Sequence, residues 1–139
     1  MRIKDIQLTE NFKLSEFFVS GKTDFEFFSA DYETPLFYLC KLLLQPIREH
    51  TKLPITITSG FRTYEENKKI NGKPQSLHLS GYAADFICAG YSLESIFSII
   101  KIYLKKYICE LILHDDYIHI AVINPIKKEQ YIADERSQK

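Results

Sequence analysis

The stretch Ser76-Leu-His-Leu-Ser-Gly-Tyr-Ala-Ala-Asp85 decides how the rest of the chain is interpreted. It places His78 and Asp85 seven positions apart, with Gly81 and other small residues between them. Imidazole nitrogen and carboxylate oxygen are both preferred zinc ligands, and the small residues let a loop residue and a strand residue converge. A catalytic zinc usually has three protein ligands and one open position. The rest of the chain must therefore supply a third ligand, a base and a substrate anchor.

The composition restricts the class of protein. The chain has 139 residues, of which 45% are hydrophobic and 14% aromatic, which favours a folded domain with a real core over disorder. Basic and acidic residues balance at 18 each, so we expect no nucleic-acid partner. The odd number and wide spacing of Cys40, Cys88 and Cys109 favour free thiols over a disulfide framework or a cysteine zinc site.

The N-terminus bears on where the protein is made. Residues 1–8 lack the uninterrupted apolar core of a signal peptide, and no window reaches the apolar length of a membrane span. We therefore expect a protein that is synthesised in the cytoplasm without a membrane span, and we separately expect it to be a monomer. Action outside the cell would then need another release route.

Apolar periodicity predicts two long helices. Thr34-Pro35 is a helix start, and a stripe from Leu36 to Ile47 follows at helical spacing. Pro46 is expected to bend this helix or to mark its last turn. The second helix is capped by Ser92, and its stripe runs from Leu93 to Leu104.

Four segments read as strands. They are Pro54–Thr58, Ala83–Cys88 with Asp85 on it, Leu111–Leu113 and Tyr117–Ile123. The turn residues Asp115-Asp116 separate the last two, which predicts an antiparallel hairpin.

These elements predict one α+β domain over residues 1–139, with its core at about 10–124. We expect a central, mainly antiparallel sheet packed against the two long helices, with the zinc site in a cleft at one end of the sheet. A short helix is expected near Ser15, and Gly21–Glu33 is expected to form a loop that closes the cleft. The polar tail 125–139 is expected to fray.

His119 is the candidate third ligand. A lone histidine in an apolar strand is more often a core residue than a ligand, but Asp116 and His114 lie close by at the mouth of the predicted hairpin. Zinc with three such ligands keeps a position for water, whose proton Asp116 can accept. His114 could stabilise the oxyanion, although a structural role explains it equally well. The guanidinium of Arg62 is suited to bidentate hydrogen bonding with a substrate carboxylate.

With those residues assembled, the sequence resembles the M15 family of zinc peptidases. These are the D-alanyl-D-alanine carboxypeptidases and phage endolysins that cut peptidoglycan stem peptides, and the likeness is strongest to short, single-domain phage-type members. Ser59-Gly-Phe-Arg-Thr63 is similar to the family segment SG[YF]R[ST], and Asn67 to Asp85 is similar to N…G…SxHxxGxAxD. Asp116-Tyr-Ile-His119 is similar to [DE]xxH.

The resemblance implies one Zn²⁺ per chain, bound by His78, Asp85 and His119. Family members without a signal peptide are commonly phage proteins, which implies action on the cell wall after release.

The resemblance also implies roles around the metal. It makes Asp116 the catalytic base and Arg62 a substrate contact, while His114 matches a histidine found in some members only. Ser76 and Tyr117 would contact the substrate as well. Tyr117 departs from the family pattern, which often has tryptophan there, so we expect a change in pocket shape.

Two other functions use the same residues. The chain could be a zinc-stabilised cell-wall-binding module without turnover, or a phage structural protein. The presence of Asp116 argues against the first. The motifs do not separate a carboxypeptidase from an endopeptidase.

Overall fold

The computed structural model describes residues 5–18 and 33–137. The predicted loop Gly21–Glu33 lies outside the described residues, apart from Glu33, which begins the first α-helix. The strands in chain order are β1 (Gln7–Thr9), β2 (Phe12–Lys13), β3 (Thr56–Ser59), β4 (Ala83–Ile87), β5 (Ile108–Leu113), β6 (Ile118–Val122) and β7 (Tyr131–Asp134).

The strands form two sheets within these ranges. β1 and β2 pair as a small antiparallel sheet, and the other strands lie in the order β3-β4-β6-β5-β7. All pairs in the larger sheet are antiparallel except β5 with β7. The predicted α+β fold, its mainly antiparallel sheet and the β5–β6 hairpin are therefore confirmed.

The helices are α1 (Glu33–Leu39), α2 (Gln45–Thr51), α3 (Tyr64–Lys69) and α4 (Leu93–Tyr103). A π-helical turn at Cys40–Leu44 joins α1 to α2, and the Gln45 N–H donates to the Cys40 carbonyl. The helix continues to Thr51, so the interpretation of Pro46 as its last turn is wrong. None of the helices in the described part of the chain is long and apolar enough to cross a membrane.

The hydrophobic core lies between one face of the sheet and the long helices. Ala84 and Phe86 on β4, and Ile118 and Ile120 on β6, are fully buried in it. Neighbouring residues of a strand point to opposite faces of a sheet. Asp85, between Ala84 and Phe86, and His119, between Ile118 and Ile120, therefore project from the other face. Helical residues that complete the core include Leu36, Leu39, Leu43, Leu44, Ile47, Ile96, Phe97 and Ile100.

The C-terminal segment does not fray in its described part. Residues Tyr131–Asp134 form β7, and the Glu135 N–H donates to the Leu113 carbonyl at 2.8 Å. The backbone N–H and hydroxyl of Ser137 both donate to Asp115. The expectation of a frayed tail is therefore wrong up to residue 137, because main-chain pairing with β5 outweighs the polar composition.

The short helix predicted near Ser15 is confirmed as a 3₁₀ turn at Leu14–Phe17, and this turn supports the end of β3. The Phe61 N–H donates to the Phe17 carbonyl at 2.9 Å. Gly60, beside it, has no room for a side chain, because a Cβ there would lie 2.4 Å from the Phe17 carbonyl oxygen and 2.7 Å from its Cα.

We expect Gly60→Ala to lower the free energy of unfolding by about 1–3 kcal/mol, because the added methyl group meets backbone that cannot rotate away. Chemical denaturation measures this change. Ser59→Ala is the matched control, since it adds no atom beside Phe17. Equal stability of the two variants would show that the contact at Gly60 is not restrictive.

Candidate active site

The register of the two central strands brings Asp85 and His119 together. Asp85 on β4 lies directly opposite His119 on β6, and both project from the sheet face that points away from the core. Asp85 Oδ1 lies 2.8 Å from His119 Nδ1.

His78 reaches the same carboxylate from a 3₁₀ turn at Leu77–Leu79. Ser76 caps this turn by accepting a hydrogen bond from the His78 backbone N–H at 3.2 Å. The His78 ring is 2% exposed, and its Nδ1 lies 2.8 Å from the Gly60 carbonyl. Its Nε2 lies 3.3 Å from Asp85 Oδ1.

Whether these residues can bind a metal depends on the protonation state of His78. A carbonyl oxygen only accepts hydrogen bonds, so Nδ1 must donate to Gly60. Burial lowers the pKa of His78, which favours the neutral ring with a lone pair on Nε2. That buried Nε2 has no hydrogen-bond partner among the described residues, and it faces an oxygen of Asp85 that also only accepts when ionised.

A cation satisfies two acceptors that face each other in this way. The candidate ligand atoms of His78, Asp85 and His119 all lie within 4.8 Å of one another. Two imidazoles and one carboxylate are a zinc donor set. The residues present therefore fit a zinc ion, and this group could hold one.

The charge on the group follows from its contacts. Burial by itself would raise the pKa of Asp85, but the hydrogen bond with His119 and the proximity of the His78 ring hold this pKa well below its usual range. Burial would lower the pKa of His119, but hydrogen bonds with Asp85 and Glu110 outweigh burial and raise it to about 9. Asp85 is therefore ionised at neutral pH and offers a full negative charge to a cation.

The group opens into a cleft of about 770 Å³. The cleft is lined by Arg62, residues 71–78, Asp85, Glu110, Ile112, His114, Tyr117, His119, Lys127 and Glu135. The predicted metal ligands and the predicted substrate contacts Arg62, Ser76 and Tyr117 are thus together.

The chain matches the model of a known protein family. The model of the Peptidase M15 family matches residues 10–121, which include the three candidate ligands, Arg62 and Asp116. The chain belongs to the M15 peptidase family. Membership implies a zinc peptidase that acts on peptidoglycan-type substrates. Comparison with curated proteins found no match.

Arg62, in the family's first motif, is held at the wall of the cleft. Its Nη1 donates to Asn67 Oδ1 at 2.9 Å, and its backbone N–H donates to the His78 carbonyl at 3.1 Å. Its buried Nε has no acceptor among the described residues. Burial lowers the pKa of Arg62, an effect that the negative charge of Asp85 opposes.

The turn between β5 and β6 carries the other predicted residues. The rings of His114 and Tyr117 stack with centroids 4.3 Å apart and planes 18° apart, and both line the cleft. Asp116 lies exposed in the same turn and does not line the cleft. Asp115 accepts hydrogen bonds from Ser137, whereas Asp116 has no hydrogen bond or ion pair to any residue in the described ranges.

Two residues beside the candidate ligands were not predicted from the sequence. Glu110 Oε1 lies 2.8 Å from His119 Nε2, and Glu110 Oε2 lies 2.5 Å from Lys127 Nζ. A signal for Glu110 was present, because it is the one charged residue in the otherwise apolar strand Ile108–Leu113. Lys127 gave no such signal, since it lies in a polar segment.

We expect wild-type protein to bind one zinc ion per chain and His78→Ala or His119→Ala to lose it, because each substitution removes one of three ligands. Metal analysis after dialysis measures the stoichiometry. Zinc at 100 times its Kd should stabilise the wild type by about 2.7 kcal/mol and leave both variants unchanged.

The matched control is His50→Ala, which removes an exposed histidine of α2 outside the cleft. It should keep the wild-type stoichiometry and affinity. A His78→Ala or His119→Ala protein that still binds one zinc ion at wild-type affinity would refute the ligand set.

Proposed function

We propose that the protein hydrolyses peptide bonds in the stem peptides of bacterial peptidoglycan, with one zinc ion bound by His78, Asp85 and His119. The observation that carries this proposal is the group His78, Asp85 and His119, in which two acceptors face each other beside a cleft, in a chain of the M15 family. Zinc, when bound, activates water at neutral pH and polarises the substrate carbonyl.

Asp116 is the proposed general base. Its support is its position three residues before His119 in the turn that also carries His114 and Tyr117, and a carboxylate that no described residue engages. An acid in that position can accept a proton from water and pass it to the leaving amine.

Glu110 lies nearer to the candidate ligands but is the weaker candidate for the base. Hydrogen bonding with His119 lowers the pKa of Glu110 to about 2, and Lys127 contributes in the same direction. Both carboxylate oxygens are engaged by these two partners. A carboxylate that is stabilised in its ionised form to this extent is a poor proton acceptor.

Arg62 is the proposed anchor for a substrate carboxylate. Asn67 fixes its Nη1, and the guanidinium keeps further donors that no described residue uses. A planar guanidinium with free donors suits bidentate contact with a carboxylate. Ser76 and Tyr117 would contact the substrate at the same wall, and His114 would donate to the oxyanion.

The residues of the cleft are compatible with cleavage of either of two kinds of bond, by carboxypeptidase or by endopeptidase action. A carboxypeptidase substrate presents a free carboxylate beside the scissile bond, and an endopeptidase substrate presents an amide there. The free donors of Arg62 suit the first kind of substrate. Amidation of the terminal carboxylate of a synthetic stem peptide separates the two activities, because only carboxypeptidase action requires the free acid.

We expect Asp116→Ala to lower turnover of purified peptidoglycan by about 10²–10⁴-fold with zinc content unchanged, because general acid–base catalysis typically contributes that factor. Asp115→Ala is the matched control, since it removes the neighbouring carboxylate, which accepts from Ser137. Release of muropeptides measures the rate.

Full activity of Asp116→Ala would remove the proposed base. A wild-type protein that binds zinc and peptidoglycan without turnover would favour the non-catalytic cell-wall-binding module instead.

A further inference from the structure

Glu110 is placed beside His119 by the hairpin register. β5 and β6 pair Ile112 with His119, so Glu110, two residues before Ile112, lies on the same sheet face and diagonal to His119. The side chain of Glu110 is 17% exposed, and its Oε1 lies 2.8 Å from His119 Nε2. An ionised carboxylate is thus held against the ring of a candidate ligand.

This contact selects which ring nitrogen faces the other ligands. An ionised carboxylate only accepts, so Nε2 of His119 must donate to Glu110. The Nδ1 of the same ring is then the atom that points toward Asp85 Oδ1, at 2.8 Å. Without Glu110, the one proton of a neutral ring would be drawn to Nδ1, where the ionised Asp85 also accepts, and Nδ1 would then have no lone pair for a metal.

Lys127 holds the carboxylate in place. Its Nζ lies 2.5 Å from Glu110 Oε2, so the two carboxylate oxygens have different partners. The backbone around Lys127 is itself fixed, because its N–H donates to Asn124 Oδ1 at 2.8 Å and its carbonyl accepts from Cys109 Sγ at 3.4 Å. Lys127 lies beyond residue 121, where the match to the family ends.

We propose that Glu110, held by Lys127, is a positioning residue that fixes the tautomer and orientation of His119 and thereby raises the affinity of the site for zinc. The inference rests on the proposed ligand set. A carboxylate that accepts from the second nitrogen of a ligating histidine orients the ring and increases its basicity, and loss of such a partner typically lowers metal affinity about 10–100-fold.

Zinc affinity, measured by competition with a chelator, tests this role without reference to turnover. We expect Glu110→Ala to raise the zinc Kd about 10–100-fold. Glu110→Gln should stay within about threefold of wild type, because its amide oxygen can still accept from Nε2. Lys127→Met should raise the Kd severalfold in wild type and have no further effect in the Glu110→Ala background. Lys128→Met, at the exposed neighbour, is the matched control and should change nothing.

A spectroscopic measurement separates positioning from a general structural role. In long-range ¹H–¹⁵N spectra of the zinc-loaded protein, the His119 Nε2 proton should be observed in wild type and Glu110→Gln. In Glu110→Ala it should broaden by exchange with water. The Gln variant also tests whether Glu110 is itself a ligand, because an amide is a poor zinc donor and a ligand role would make Gln as harmful as Ala.

Each result has a distinct meaning. A Glu110→Ala protein with a lower melting temperature but an unchanged zinc Kd overturns the inference. A zinc Kd of Glu110→Ala below that of wild type also overturns it. Equal losses in Glu110→Gln and Glu110→Ala overturn it too. If wild type does not bind zinc at His78 and His119, the proposed function fails; if wild type binds and Glu110→Ala binds equally well, only this inference fails.

Discussion

The Asp85 carboxylate lies between two imidazole rings, and the rest of the site depends on that contact. An ionised carboxylate with little exposure is costly unless it is paired, and here the partner is His119 on the adjacent strand, while His78 on the preceding turn lies 3.3 Å away. The contact exists only in one register of β4 against β6. A slip by one residue would turn Asp85 toward the core, so the packing of the sheet and the chemistry of the site are set by the same constraint.

The side chains around this carboxylate are oriented by partners that lie far away in sequence. The Gly60 carbonyl orients the His78 ring, and Gly60 itself is packed against the backbone of Phe17. On the other side, Glu110 contacts the His119 ring and is itself held by Lys127. The N-terminal turn and the C-terminal segment therefore both contribute to a group whose candidate ligands span residues 78–119.

The local parts of this arrangement could be predicted from the sequence, and the long-range parts could not. The helix that starts after Ser92 and the β5–β6 hairpin depend on neighbouring residues, and they formed as expected. The convergence of His78, Asp85 and His119 could also be predicted, because the motifs that contain these residues indicate it.

Other features depend on segments that meet only in the folded chain. The strand β7 forms because β5 offers a free edge, and the contact of Lys127 with Glu110 requires that the segment after β6 return past β5. Neither the pairing of β7 nor the contact of Lys127 leaves a recognisable pattern in the local sequence. Asp116 shows a different limit, because the motif gives its spacing from His119 but not the direction of its side chain, which is exposed in the turn.

Mass spectrometry of muropeptides from purified peptidoglycan, incubated with the protein before and after removal of metal by a chelator, tests the central claim most directly. The account predicts new stem-peptide products with the untreated protein, none after chelation, and their return when zinc is added back. Products that persist at the same rate after complete metal removal, or no products from protein that holds one zinc ion, would contradict it.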